Sequence, residues 1–183
     1  MKITQRITII KSRVGLTVVL LLLSACATGA LDIITPVTVK LSNYKSIILN
    51  VSSYKLASYE AILETATVRR LREKGLFEKV IAGSASPDAQ ADFCLNAKIE
   101  EIKPLGIWEI RPSGDRLFSG QVKIVVEAEI IDLKTGRSVG AFKVEGMSSR
   151  VFNVVLGNFM TGMAGQASER VADRMVEFVQ KNM

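Results

Sequence analysis

The side chains that carry most enzyme chemistry are scarce in this chain. Its 183 residues include no histidine, which removes the commonest general base, the Ser–His pairing and the commonest metal ligand. Two cysteines occur, Cys26 and Cys94, too few for a cysteine-rich zinc site. Carboxylates lie close together at Glu100 and Glu101 and at Glu127 and Glu129. A strand alternates its faces, so Glu127 and Glu129 project side by side near lysines, as on a solvated sheet face, rather than flanking a bond to be cleaved. The glycines of "GNFMTGMAG" have neither dinucleotide-loop nor P-loop spacing, and no phosphate-binding lysine follows them. No reaction, metal or cofactor is therefore expected. Two features remain: Cys26 itself, and an apolar cluster of Ile107, Trp108, Ile110 and Phe118 around the only tryptophan. That cluster reads either as a partner or ligand patch or as an aromatic side chain that packs a long loop onto the domain.

Cys26 ends the stretch "VVLLLLSAC". Lys2, Arg6, Lys11 and Arg13 precede the leucines, and no acidic residue occurs before Asp32. A basic start, a short apolar run over residues 14–25 and small residues at its end are the layout of a secretory signal. The run holds about a dozen residues, whereas roughly 20 are needed to span a bilayer. Leu23, Ser24, Ala25 and Cys26 resemble the lipobox of bacterial lipoproteins. The resemblance implies that the Cys26 sulfur takes a diacylglycerol, that residues 1–25 are removed, and that the new amino terminus is acylated, as with palmitate. One acyl chain anchors only marginally, and three would hold the protein firmly. Ala27 follows the cysteine and is not Asp, which under the sorting rule of such signals implies the outer membrane, facing the periplasm; the inner membrane is the alternative. Ala25-Cys26-Ala27 also fits an A-x-A site, which would release a soluble periplasmic protein beginning at Thr28.

Processing changes the charge reading. The formal net charge is +6. Removing residues 1–25 takes away four of the 24 basic residues and none of the 18 acidic ones, leaving about +2, so the argument for a nucleic-acid footprint collapses. With Cys26 lipidated, Cys94 in "ADFCLNAKIE" has no intrachain partner and reads as a small buried thiol on a strand.

Beyond the signal, residues 26–43 read as a lipidated tether, with a short strand at "VTVKL"; extended, it would span about 55–60 Å. Residues 44–183 read as one globular domain. "YKSIILNV" (44–51) is a β-branched strand. Residues 58–75 carry Tyr59, Ile62, Leu63, Ala66 and Leu71 at helical spacing, with Ser58 able to cap the start and Gly75 to close the end. "LFEKVIA" (76–82) and "DFCLNAKIEEI" (92–102) are strands, the latter with Phe93, Leu95, Ala97 and Ile99 on one face. Residues 103–119, with two prolines, read as a loop or an irregular hairpin extension. Residues 120–133 place Val122, Ile124, Val126, Ala128 and Ile130 on one face, and the turn at Gly136 leads to a return strand over 139–150. In the C-terminal helix Ala164, Ala167, Val171, Met175, Phe178 and Val179 form an apolar stripe, while Gly157, Gly162 and Gly165 suit close packing against the sheet, another subunit or lipid. The order β-α-β-β-β-β-α gives a two-layer α+β fold, a four- to five-stranded mixed sheet packed by two helices.

Gly75-Leu76-Phe77 with Val80, Ala91-Asp92 with Leu95 and Ile99, and Asp132 with Thr135-Gly136 resemble the pattern of DUF4410-type small bacterial lipoproteins, over most of residues 44–180. The domain is also similar to those of envelope assembly lipoproteins. The resemblance implies a non-enzymatic, periplasm-facing scaffold or accessory subunit of an envelope assembly, export or transport system, with an envelope protein or further copies of itself as partner. The alternative is a periplasmic small-ligand or lipid-binding module that uses the Trp108 segment. The resemblance carries over no binding residue.

Overall fold

The computed structural model describes residues 30–54, 57–83, 90–114, 116–155 and 159–183. The signal, the lipobox residues Leu23, Ser24 and Ala25, and Cys26 lie outside the described residues, as does Gly157. The elements are β1 (Leu31–Thr35), a 3-10 turn (Leu41–Asn43), β2 (Ser46–Ser53), α1 (Ala57–Glu73), β3 (Lys79–Ala82), β4 (Phe93–Ile110), β5 (Arg116–Asp132), β6 (Arg137–Met147), β7 (Val151–Val155) and α2 (Phe159–Lys181). The class is the expected two-layer α+β, but the sheet has seven strands rather than four or five, in the order β1-β6-β5-β4-β2-β3 with β7 beside β5. It is mixed, since β2 runs parallel to β3 and β4 and the other pairs are antiparallel.

The two extra strands are short edge pieces, β1 ahead of the expected domain and β7 between β6 and α2. The strand anticipated at "VTVKL" lies instead at "LDIIT", which pairs with β6. The chain then follows the fold: Thr38 N donates to the Val139 carbonyl, Leu41 N donates to the Asn182 carbonyl, and Leu41 is fully buried. From Ala30 onward, therefore, the segment read as a tether is held against the domain.

Both helices cover one face of the sheet. α1 buries Leu63, Ala66, Val68 and Leu71. Ser58 falls inside its first turn rather than at its cap, and Gly75, at φ 59°, closes its end. α2 buries the six apolar residues of the expected stripe. Arg69 and Arg70 of α1 reach across to Glu169 on α2, and Arg70 also reaches Asp173, at 2.8 Å. Gly146 lets α2 lie directly on β6, because a Cβ there would overlap the Ala167 carbonyl oxygen. Among the described residues, close packing does not involve Gly162 or Gly165: a Cβ at either would meet nothing within 4 Å.

The largest departure from the sequence reading is at residues 103–119. β4 and β5 continue through them as one regular hairpin, paired out to Ile110 and Arg116. Pro104 is tolerated because no described strand pairs with the outer side of β4 beyond Ile99, and an edge does not need the missing N–H. Gly106 and Gly120 face each other across the hairpin, so close that a Cβ on either would overlap the other strand's backbone. Residues that looked like loop formers are those that let two backbones approach.

Candidate functional site

The hairpin projects past the rest of the sheet and carries the sequence-derived apolar cluster. Its geometry depends on a bulge. Ile99 pairs with Val126 and Glu101 with Val125, so Glu100 is an extra residue in β4. One inserted residue reverses which side chains face the helices. Before the bulge the odd-numbered residues Phe93 to Ile99 point inward; after it, Ile102, Trp108 and Ile110 share the face of Ile124, Val122 and Phe118.

Trp108 stands directly opposite Phe118, with ring centroids 4.6 Å apart and planes tilted by 44°. Phe118 is buried and Trp108 is 45% exposed: one aromatic belongs to the core and the other continues it to the surface. Ile110 follows on the same face and is 73% exposed. Ile107 projects from the opposite face and is 67% exposed. The structure thus unites Trp108, Phe118 and Ile110 and separates Ile107 from them. It adds two residues that sequence reasoning missed, Leu105 on the face of Ile107 and Phe152 on the adjoining β7. Leu105 lay inside an apparent loop and Phe152 two residues beyond the expected return strand over 139–150, so neither carried a periodic signal.

The opposite end of the sheet has a different character. Asp92 Oδ2 accepts from Lys45 N at 2.8 Å and from Ser46 N and Ser46 Oγ at 3.0 Å each. The Lys45 N–H foremost, with both Ser46 donors, holds this carboxyl below the usual carboxylate range against a partial desolvation. Asp132 accepts from Lys134 N at 2.8 Å, Thr135 N at 3.2 Å and the Tyr44 hydroxyl at 3.1 Å. Desolvation is the largest single influence on Asp132 and raises its pKa, but these donors together lower it. Gly136, at φ 67°, completes the turn. Tyr44 and Phe77 both pack against the ring of Phe93 at 5.3 Å. The Asp92 and Asp132–Gly136 motifs are therefore stitches between strand ends.

The other candidates have structural roles. Cys94 is buried, which pushes its thiol pKa up, and its sulfur lies 3.1 Å from Asn96 Oδ1. Glu127 and Glu129 stand on the open face of the sheet, opposite Lys98 and Asn96 on β4. Glu100 is the bulge residue and pairs with Lys98 at 2.7 Å. Among the described residues no three His, Cys, Asp or Glu side chains are grouped to hold a metal ion. No helix among them is long and apolar enough to cross a membrane.

No family model matches the chain, and no curated protein matches it. Solved structures do. A Xanthomonas campestris protein of family DUF330 is 12% identical, with a TM-score of 0.50 over 73% of this chain and 81% of its own. A PelC dodecamer from Paraburkholderia phytofirmans is 15% identical, with a TM-score of 0.43 over 79% of this chain and 97% of its own. A minor lipoprotein from Acinetobacter baumannii is 12% identical, with a TM-score of 0.46 over 76% and 95%. At these identities the likeness is one of fold.

Proposed function

We infer that the chain is a non-enzymatic lipoprotein, anchored through Cys26 to the periplasmic side of the outer membrane. There it serves as a scaffold or accessory subunit of an envelope assembly, export or transport system. The observation that carries this reading is the Leu23-Ser24-Ala25-Cys26 sequence four residues ahead of Ala30, where the described fold begins. The chain reaches its folded domain with almost no linker. The mechanism is tethering: the lipid sets the place, and an exposed strand edge of the sheet or the glycine-bearing start of α2 recruits a neighbour. The DUF4410-type pattern belongs to the same proposal. Its residues do structural work at Gly75, Asp92, Asp132 and Gly136, as suits a family defined by its scaffold.

Cys26→Ser tests the reading. The processed wild-type protein should carry lipid mass on Cys26 and sediment with membranes, and the variant should lose both. Unchanged membrane association of the variant with no lipid on the wild type would sink it. Crosslinking in intact cells, with and without Cys26, would then identify the partner or reveal a self-assembly.

A further inference from the structure

Resting on that lipoprotein reading, we propose that the β4–β5 hairpin is a second membrane contact, dipping Trp108, Ile107 and Ile110 into the lipid surface to which Cys26 is tethered. The register of the sheet carries this. β1 runs antiparallel to β6, and Ala30 accepts from Glu145 N. Glu145 pairs with Val125 and Val125 with Glu101, so the chain enters the sheet at the root of the hairpin, from the side on which the hairpin projects. Cys26 is four residues before Ala30, a reach of at most about 14 Å. Arg116 lies nine residues beyond Val125 along β5, about 30 Å at the strand rise. A bilayer close enough to hold the Cys26 lipid is therefore within reach of the hairpin.

The surface chemistry selects lipid over a protein partner. Ile107 and Leu105 are exposed on one face of the ribbon, Trp108 and Ile110 on the other. A second copy added to the β4 edge would leave both faces wet, and a flat partner would cover one; a lipid phase covers both. Tryptophan favours the membrane interface, where its ring is half buried. Arg111 and Arg116, near the turn, have stems long enough to keep their charges among headgroups. Lys103, Arg111 and Arg116 are balanced by Glu101, Glu109 and Asp115, so the attraction is apolar and insensitive to salt.

The sole tryptophan is the probe. The test uses residues 27–183, which contain every described element and lack the lipid, with vesicles of phosphatidylethanolamine and phosphatidylglycerol. Trp108 emission should shift to the blue and become shielded from acrylamide, equally at low and high salt. Ile107→Ser/Ile110→Ser, at two exposed positions that leave Trp108 and the core intact, should weaken the partition about tenfold or more. Emission unmoved by vesicles overturns the proposal. So does a blue shift that grows with protein concentration in the absence of lipid, because a second copy would then be covering the hairpin. A failed lipidation assay at Cys26 would remove the anchor without altering this vesicle result, so the two readings fail separately.

Discussion

The two ends of the sheet solve opposite problems. At the turn end, charged and polar groups point inward onto backbone donors: Asp92 ties the start of β2 to the start of β4, and Asp132 organises its own turn while holding Tyr44. Leu133 is exposed there, and Ile33 and Ile34 are exposed along the β1 edge between the two ends. At the hairpin end, Leu105, Ile107, Trp108, Ile110 and Phe152 are exposed, and the strands approach through paired glycines. α2 also begins near this end, with two glycines that no neighbour among the described residues uses. One end is built for internal stability; the other leaves stability unrealised and apolar surface uncovered. Such asymmetry is expected where one end meets solvent and the other a partner phase.

Five substitutions test this contrast. Phe93→Ala, beneath Tyr44 and Phe77 at the stitched end, removes a fully buried ring and should cost about 3–5 kcal/mol in urea unfolding. A loss near 1 kcal/mol would mean that this end is not the stable one. At the other end, Gly120→Ala places a methyl against the Leu105 carbonyl oxygen and 2.8 Å from Phe118 Cζ. About 1–3 kcal/mol should be lost, with Trp108 emission changed in the native state; an unmoved spectrum would argue against the tight glycine pair.

Asp92→Asn should cost about 1–2 kcal/mol at pH 7, since charge-assisted bonds to Lys45 N and Ser46 are weakened. The pH dependence has a definite sign. The native carboxyl titrates below its unfolded value, so it stabilises the fold above about pH 4, and that contribution is lost as pH falls through the lowered native value. The gap between Asp92 and the variant should narrow on acidification; a gap constant down to pH 2 would contradict the assignment. The smallest effect is a gain. Gly162→Ala and Gly165→Ala in α2 should each stabilise the isolated domain by about 0.5–1 kcal/mol, because the added methyl enters open space. Destabilisation by either would place an unseen neighbour against α2.

Much of the stitched end was legible before the fold was known. Gly75 and Gly136 are turn residues by type, and the β-branched run of β2 and the alternation of β5 are local patterns read over a few residues. The helix stripe from Ala164 to Val179 follows from 3.6-residue periodicity and is buried throughout. The hairpin end was misread where local signals conflict with tertiary context. Pro104, Gly106 and Gly120 are loop formers in isolation; at an unpaired edge and a close strand crossing they are what a strand requires. The bulge at Glu100 then reversed the alternation, so no single phase described β4.

Residue type and spacing alone determined the α+β class, the two helices with their buried faces, and the absence of histidine chemistry, because these depend on local periodicity and composition. They also set the expectation of a lipid on Cys26. Tertiary structure decided the rest. It brought Asp92 onto the backbone of residues 45 and 46, set Trp108 opposite Phe118, parted Ile107 from Ile110, and aimed the start of β1 toward the hairpin. Each of these depends on register between strands far apart in the chain, and register is settled by which pairings bury the most apolar surface together.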